Sequence, residues 1–303
     1  MTLGLALSGG GAKGAAHIGV LQALIEENIK IEYISGTSMG SLVASLFACG
    51  YKPNEILNLV NSYFSEILSM DKKGYLKTFT TMINATTPIS GMANGYKLKN
   101  ILNTYFLNKG KNNISQIDIP IAIPTVDLLT GKLIYFLNKE INLENRWLED
   151  EETIDNNVEY ENIDKCGYEY FASISHVVKS SCSFPGIFEP EMYKNYMLVD
   201  GGLRKNVPVS ILKQMGADKV ITVCFDNVKK GLKDSSIITV AMKCVDIMGY
   251  DVNKNEIEMA DLVIKPRIGN TSLIEFKKCR SLANEGYKEA KRIMPKIKQL
   301  IGS

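Results

Sequence analysis

"LGLALSGGGAKGAAHIGVLQALIEENIKIEYISGTSMGSLVASLFACG", residues 3–50, is the stretch on which the reading of this 303-residue chain turns. Leu3 to Leu7 is a short apolar run that predicts a buried strand, and Gly9 to Gly14 is a glycine loop. "AAHIGVLQALIEENI" then spaces its apolar residues by three and four, the period of a helix. Ile31 to Ile34 predicts a second strand running into "SGTSMG". "MGSLVASLFACG" follows as a small-residue helix ending at Gly50, a C′ glycine. Strand, loop, helix, strand, turn, helix is the opening of an α/β fold.

Working outward, Pro53 suits the first turn of a helix. Residues 53–116 are expected to form an inserted helical cap, interrupted by the polar "TTPISGMANG". "IPIAIPTVDLLTGKLIYFL" reads as paired strands around the turn "LLTG". Residues 144–165 are acidic and aperiodic, a solvated loop by default with partner binding as the lesser reading. A helix at 172–182, the strand and loop "MLVDGGLRKNVPV", and the buried strands in "DKVITVCFD" and "DLVIKPRI" come next. "SLIEFKKCRSLANEGYKEAKRIMPKIKQLI" closes the chain as an amphipathic helix or pair. The alternation predicts one domain over 1–303: a three-layer α/β/α core at about 3–266 around a mostly parallel central sheet, then C-terminal helices at about 271–301.

Composition narrows the partners. Thirty-five basic and 33 acidic residues give a net charge of +2, no global case for nucleic acid. The six cysteines are scattered without a Cys-x-x-Cys pair, and with two histidines they offer no metal-site pattern; they read as reduced, mostly buried small side chains. The N-terminus lacks a basic region, and no stretch approaches the roughly 18 apolar residues a membrane span needs, so a cytoplasmic protein is expected.

Gly36, Ser38 and Gly40 fit a nucleophile elbow, in which a serine sits on a sharp strand-to-helix turn and Met39 opens the helix. "GGGAKG" at 9–14 admits three readings. As Gly-x-Gly-x-x-Gly between strand and helix it is a dinucleotide fingerprint, but the acidic residue about 20 positions on is Glu32, at the start of the second strand and not its end. A Walker loop is excluded, since Ala15 and Ala16 stand where Lys and Ser/Thr are needed. As an oxyanion hole, glycine N–H groups at a helix N-terminus stabilise the charge that develops when a serine attacks an ester carbonyl, with Lys13 adding positive charge. A tight structural turn is the third.

A serine nucleophile needs a proton acceptor. His17 lies in the first helix and reads as a packing or capping residue. His176, with Asp127 or Asp164 as acid, keeps a triad formally open but carries no local signature. Asp200 follows the apolar run "YMLV" and precedes Gly201 and Gly202, which places it at the carboxyl edge of a strand, where open α/β sheets bind ligands. Its free pKa near 3.9 makes it a weak base unless burial or hydrogen bonding assists. A bare Asp-Gly-Gly turn is the competing reading.

With "GGGAKG", "GTSMG" and "DGG" in this order, the chain resembles the patatin-like phospholipases, in which a Ser–Asp dyad replaces the triad. "TVDLLTGK", "SSCSFPGIFEP", "NVPV" and "ADLVIKP" also look like family segments. The resemblance implies Ser38 as nucleophile, Asp200 as base, and Gly9, Gly10, Gly11, Lys13 and Gly14 as the oxyanion loop. It implies a lipid acyl-ester hydrolase working on phospholipid or lysophospholipid through an acyl-serine, without metal or organic cofactor. A nucleotide-binding protein and an acyltransferase using the same dyad are the alternatives. Lys72, Lys73, Lys77, Lys97, Lys99, Lys109 and Lys111 lie in the expected cap and are either headgroup contacts or a solvated face, which leaves peripheral membrane contact open.

Overall fold

The computed structural model describes residues 1–70, 95–141, 166–225, 247–249, 252–273 and 275–302. Strand β1 (Leu3–Leu7) is buried throughout and lies between parallel neighbours. Helices cover both of its faces, so it is uninterruptedly apolar instead of alternating. Leu3, Leu5 and Leu7 face the main core, and Ala6 faces a smaller one on the opposite side.

β1 pairs with β2 (Tyr33–Gly36) and β8 (Lys219–Val223). The sheet runs β5 (Gly167–Glu169), β4 (Leu133–Leu137), β3 (Ile121–Asp127), β2, β1, β8, β9 (Leu262–Ile264). β7 (Tyr196–Asp200) pairs with β3 and with β6 (Glu191–Tyr193). The pairings of β1, β2, β8 and β9, with β2–β3 and β4–β5, are parallel; β3–β4, β3–β7 and β6–β7 are antiparallel. The expected mostly parallel sheet is present.

β2 begins two residues later than the apolar pattern indicates. Glu32 closes the preceding loop, its N–H donating to Leu3 O (2.9 Å) and its carboxylate accepting from Leu3 N (3.1 Å). The ladder therefore runs to Gly36, directly into the elbow.

One face of the sheet is covered by α1 (Ala15–Glu26), α2 (Met39–Ala48), α3 (Pro53–Met70), α4 (Tyr96–Asn108), α5 (Ile174–Ser181) and α7 (Cys279–Ile301). The other carries α6 (Ser210–Gln214) and the helical residues 252–259, whose Ile257 and Met259 pack on the second core. The C-terminal stretch is one helix and integral to the fold. Cβ atoms on Gly19 of α1 and Gly286 of α7 would overlap the carbonyl oxygens of Ala283 and Ala16, so the two helices meet backbone to backbone.

α3 and α4 contribute Ile56, Leu59, Val60, Leu98, Leu102 and Phe106 to the main core. The rest of the expected cap, 71–94, and the acidic stretch 142–165 lie outside the described residues, with Lys72, Lys73, Lys77 and Asp164. The described cysteines are free: Cys49, Cys182, Cys224 and Cys279 buried, Cys166 partly so. Among the described residues no helix is long and apolar enough to cross a membrane.

Candidate active site

β2 leaves the sheet at Gly36, and Ser38, half-buried, caps the N-terminus of α2 with φ 53° and ψ −122°. A side chain adopts that backbone only where the surroundings enforce it, at roughly 1–3 kcal/mol. The enforcement is visible. Thr37 N donates to Leu7 O (3.1 Å), Thr37 Oγ1 to Lys205 O (2.8 Å), and Gly40 N to Thr37 O (2.8 Å). A Cβ on Gly36 would overlap the Gly40 carbonyl, and one on Gly40 the carbonyls of Leu7 and Ser8. The Gly-x-Ser-x-Gly spacing is thus a requirement of close backbone approach, and Met39 begins the helix as expected.

The glycine loop sorts the predicted residues by job. Gly9 N donates to Asn206 O (3.1 Å) and Lys13 N to Gly10 O (3.2 Å), so neither amide is available to a ligand. Gly14 makes room for Met39. The N–H groups of Gly10 and Gly11 form no backbone hydrogen bond with the other described residues, which leaves them as the candidate donors. Lys13 is buried in the short helical turn Gly11–Gly14. Ala12 N donates to Leu273 O (2.7 Å), and a Cβ on Gly11 would overlap that same oxygen, so the chain near Leu273 backs the loop.

The dinucleotide reading fails here. Glu32 is spent on Leu3 N and Lys30 at the amino end of β2, and the carboxyl end carries the elbow where a ribose carboxylate would stand.

Asp200 ends β7, 2% exposed, with its backbone N–H on Ser183 O (3.0 Å) and its Oδ1 accepting from Gly202 N (2.8 Å). Burial pushes its pKa up from 3.8 to about 6, against the opposing pull of the Ser38 hydroxyl and the Gly202 amide. That hydroxyl interacts with the carboxylate without reaching full hydrogen-bond geometry, so Oδ2 is buried with no donor seated on it. Catalytic hydrogen bonds are often this loose before substrate binds. A Cβ on Gly201 would overlap Pro124 O. Contrary to the sequence-based expectation, β7 is antiparallel to β3, so the rule for carboxyl edges of parallel strands does not locate Asp200. It reaches the elbow because β7 points back toward the end of β2.

The histidines stand elsewhere. His17 is fully buried, its Nε2 bonded to Ser8 O (2.8 Å), its ring 5.0 Å from that of Phe225, and burial lowers its pKa to about 4. It packs beneath the glycine loop. His176 Nδ1 faces Lys99 Nζ (3.0 Å) and Glu191 (3.2 Å) in a cluster with buried Lys179. Asp127 is occupied by Met197 N, Leu129 N and Thr130 Oγ1, so it does not support His176 in a triad. Of the described cap lysines, Lys99 pairs with Glu191, Lys109 reaches Gly50 O and Lys111 reaches Asp118, all within the protein.

Sequence reasoning missed three contributors. Ser181 Oγ accepts from Ser38 N (3.0 Å), the Cys182 thiol lies against the Ser38 and Ser41 hydroxyls, and Asn206 borders Gly9 and Gly202. The hydroxyl-rich run "SSCS" at a helix end was the available signal for the first two.

Residues 5–213 match the patatin-like phospholipase family. Lysophospholipase NTE1 of Meyerozyma guilliermondii is 28% identical over 221 residues, 73% of this chain and 12% of that protein. An uncharacterized NTE family protein of Mycobacterium bovis is 26% identical over 211 residues, 70% of this chain and 28% of that protein. The chain therefore spans only a small part of the length of these relatives. Among solved structures, VipD from Legionella pneumophila has a TM-score of 0.48 at 14% identity, covering 97% of this chain and 67% of VipD. The type III effector ExoU has a TM-score of 0.47 at 13% identity, covering 97% of this chain and 53% of its own. Since the family match takes in most of the chain and runs from β1 past the Asp-Gly-Gly turn, the chain belongs to the patatin-like phospholipase family.

Proposed function

We propose that this chain hydrolyses carboxylic esters of lipids, lysophospholipids or phospholipids, with Ser38 as nucleophile and Asp200 as its only general base. The observation that carries the reading is a buried carboxylate, with one oxygen unpaired and its pKa raised to about 6, beside a hydroxyl on a strained elbow. Burial supplies what a free aspartate lacks as a base. The names of the relatives support a lysophospholipid substrate for this chain.

In the first half-reaction Ser38 Oγ bonds to the ester carbonyl carbon as its proton passes to Asp200 Oδ2. The carbonyl oxygen takes the negative charge opposite the Gly10 and Gly11 N–H groups, which favour the charged transition state over the neutral ester. The oxyanion collapses, the C–O bond to the alcohol breaks, and the alcohol leaves with the proton held by Asp200. Water then gives a proton to Asp200 and attacks the acyl-Ser38 carbonyl. Release of the fatty acid returns that proton to Ser38.

Hydrolysis of a short-chain ester and of a lysophospholipid by the wild type, Ser38→Ala, Asp200→Asn and His176→Ala tests this. The first two variants are expected to lose at least about a thousandfold in kcat, and His176→Ala to stay within a few fold. Activity surviving in Ser38→Ala, or a loss in His176→Ala as deep as in Asp200→Asn, contradicts it.

A further inference from the structure

β2 and β7 share one edge of β3 but meet end to end, so no ladder between them sets the gap from Ser38 to Asp200. Something outside the sheet must span it. The turn that ends α5 makes contact on both sides. Ser181 Oγ accepts from Ser38 N (3.0 Å) and donates to Pro124 O of β3 (2.9 Å). Ser183 O, two residues on, accepts from Asp200 N (3.0 Å). Between them the buried Cys182 thiol touches the Ser38 and Ser41 hydroxyls and is close enough to the Asp200 charge to be pushed up by it, after burial itself.

The turn is also stiff. Cys182 N donates to Val178 O (3.0 Å), Ser183 N to Ser180 O (3.0 Å), Ser183 Oγ to Lys179 O (2.9 Å) and Ser180 Oγ to His176 O (2.9 Å). Two hydroxyls of the run thus bond back to carbonyls one turn earlier, in addition to the backbone bonds that close the helix end. A hydroxyl that accepts one bond and donates one, with no exposed surface, has a single orientation.

We propose that Ser181 is a positioning residue: through the rigid Ser181–Cys182–Ser183 turn it holds the strained elbow at the distance from Asp200 that proton transfer needs. This rests on the Ser38–Asp200 assignment above. It also means that the Ser38 amide is committed to Ser181, so the oxyanion donors must come from the glycine loop and not from the nucleophile's own N–H.

Short-chain ester kinetics of Ser181→Ala, Ser181→Thr and Ser183→Ala, with the pH profile of kcat/KM and thermal unfolding of each, test the proposal. Ser181→Ala is expected to lose about 10- to 100-fold in kcat with KM within about twofold, since small misplacements of reacting groups cost rates of this order. Its acidic limb moves to higher pH, because Asp200 loses the opposing pull of the Ser38 hydroxyl. Ser181→Thr keeps both hydrogen bonds and restores most of kcat. Ser183→Ala removes a hydroxyl that stiffens the turn through Lys179 O but bonds neither Ser38 nor Asp200, and it loses clearly less in kcat than Ser181→Ala. If Ser181→Ala does not fold, Ser181→Cys, a weaker acceptor of similar size, carries the same expectation. Unchanged kcat and limb in the Ala or Cys variant, no rescue by Thr, or an equal loss in Ser183→Ala overturns it. Survival of activity in Ser38→Ala would instead remove the dyad assignment on which it rests.

Discussion

Ser35 and Asp200 stand on the same edge of β3, Ser35 in register with Ala122 and Asp200 with Thr125. β2 is parallel to β3 and β7 antiparallel, so the two strands point their carboxyl ends at each other. The three residue steps from Ala122 to Thr125 span about 10 Å, and Ser38 lies three residues beyond Ser35. Register along β3 therefore aims the end of β2 at Asp200, and the elbow that follows Gly36 carries Ser38 beyond the ladder.

The elbow tolerates no Cβ at Gly40. The atoms it would strike are the backbone carbonyls of Leu7 and Ser8, which are tied into β1 and cannot step aside. Gly40→Ala is expected to destabilise by more than about 2 kcal/mol and to abolish ester hydrolysis, whereas Gly110→Ala, with open space around it, changes stability only through its positive φ. Urea denaturation of both variants measures the difference.

Ser38→Gly should separate strain from chemistry. Glycine adopts φ 53°, ψ −122° freely, so the variant gains about 1 kcal/mol while losing the nucleophile. An inactive protein with a higher melting temperature is the expected result.

Asp200→Asn carries a similar trade. The folded carboxyl titrates at about 6 and the unfolded one at 3.8, so between these values the folded state holds a proton that the unfolded state has lost. Native stability therefore falls as pH rises through that window, by about 3 kcal/mol in all, and the cost is fully present above pH 6. The asparagine variant escapes it. Its stability advantage is largest at neutral pH, shrinks below pH 6 and vanishes near pH 4, as denaturation at several pH values would show.

The cluster around Glu191 is structural on this account. Burial pushes its carboxyl up, but hydrogen bonds from Lys179 and Lys99 outweigh that and hold it below the usual range. Lys179, 2% exposed, depends on it for charge compensation (2.7 Å). Glu191→Gln strands that lysine at a cost of about 3 kcal/mol, while soluble-ester activity of the protein that remains folded stays near wild type. Denaturation midpoints with kcat on the folded fraction check both halves.

The strands and helices that position the site were legible because they are strongly apolar or sharply punctuated: Leu3 to Leu7, Pro53, Gly50 and the "LLTG" turn each mark an element found in place. β5 and β6, three residues each and not apolar enough to stand out, left no signal. Nor did α6, whose five residues are held by Glu256 from a distant segment through Val209 N, Ser210 N and Ser210 Oγ. At the site, the spacing of Gly36, Ser38 and Gly40 encodes a steric rule and could be read directly. Which glycine amides are free could not, because Gly9 is occupied by a carbonyl about 200 residues away in sequence, that of Asn206. The "SSCS" run marked Ser181 as polar at a helix end, but its role was hidden for the same reason: its partners, Ser38 and Pro124, are neighbours only in space.

Active-site labelling against pH addresses the central claim most directly. Wild-type protein is treated with a fluorophosphonate between pH 4.5 and 8, the rate is recorded, and the modified peptide is identified by mass spectrometry. The account predicts one adduct, on Ser38, forming at a rate that rises through a single titration near pH 6, unchanged in His176→Ala and absent in Asp200→Asn. An adduct on another residue, or a limb near pH 6 that persists in Asp200→Asn and disappears in His176→Ala, would contradict it.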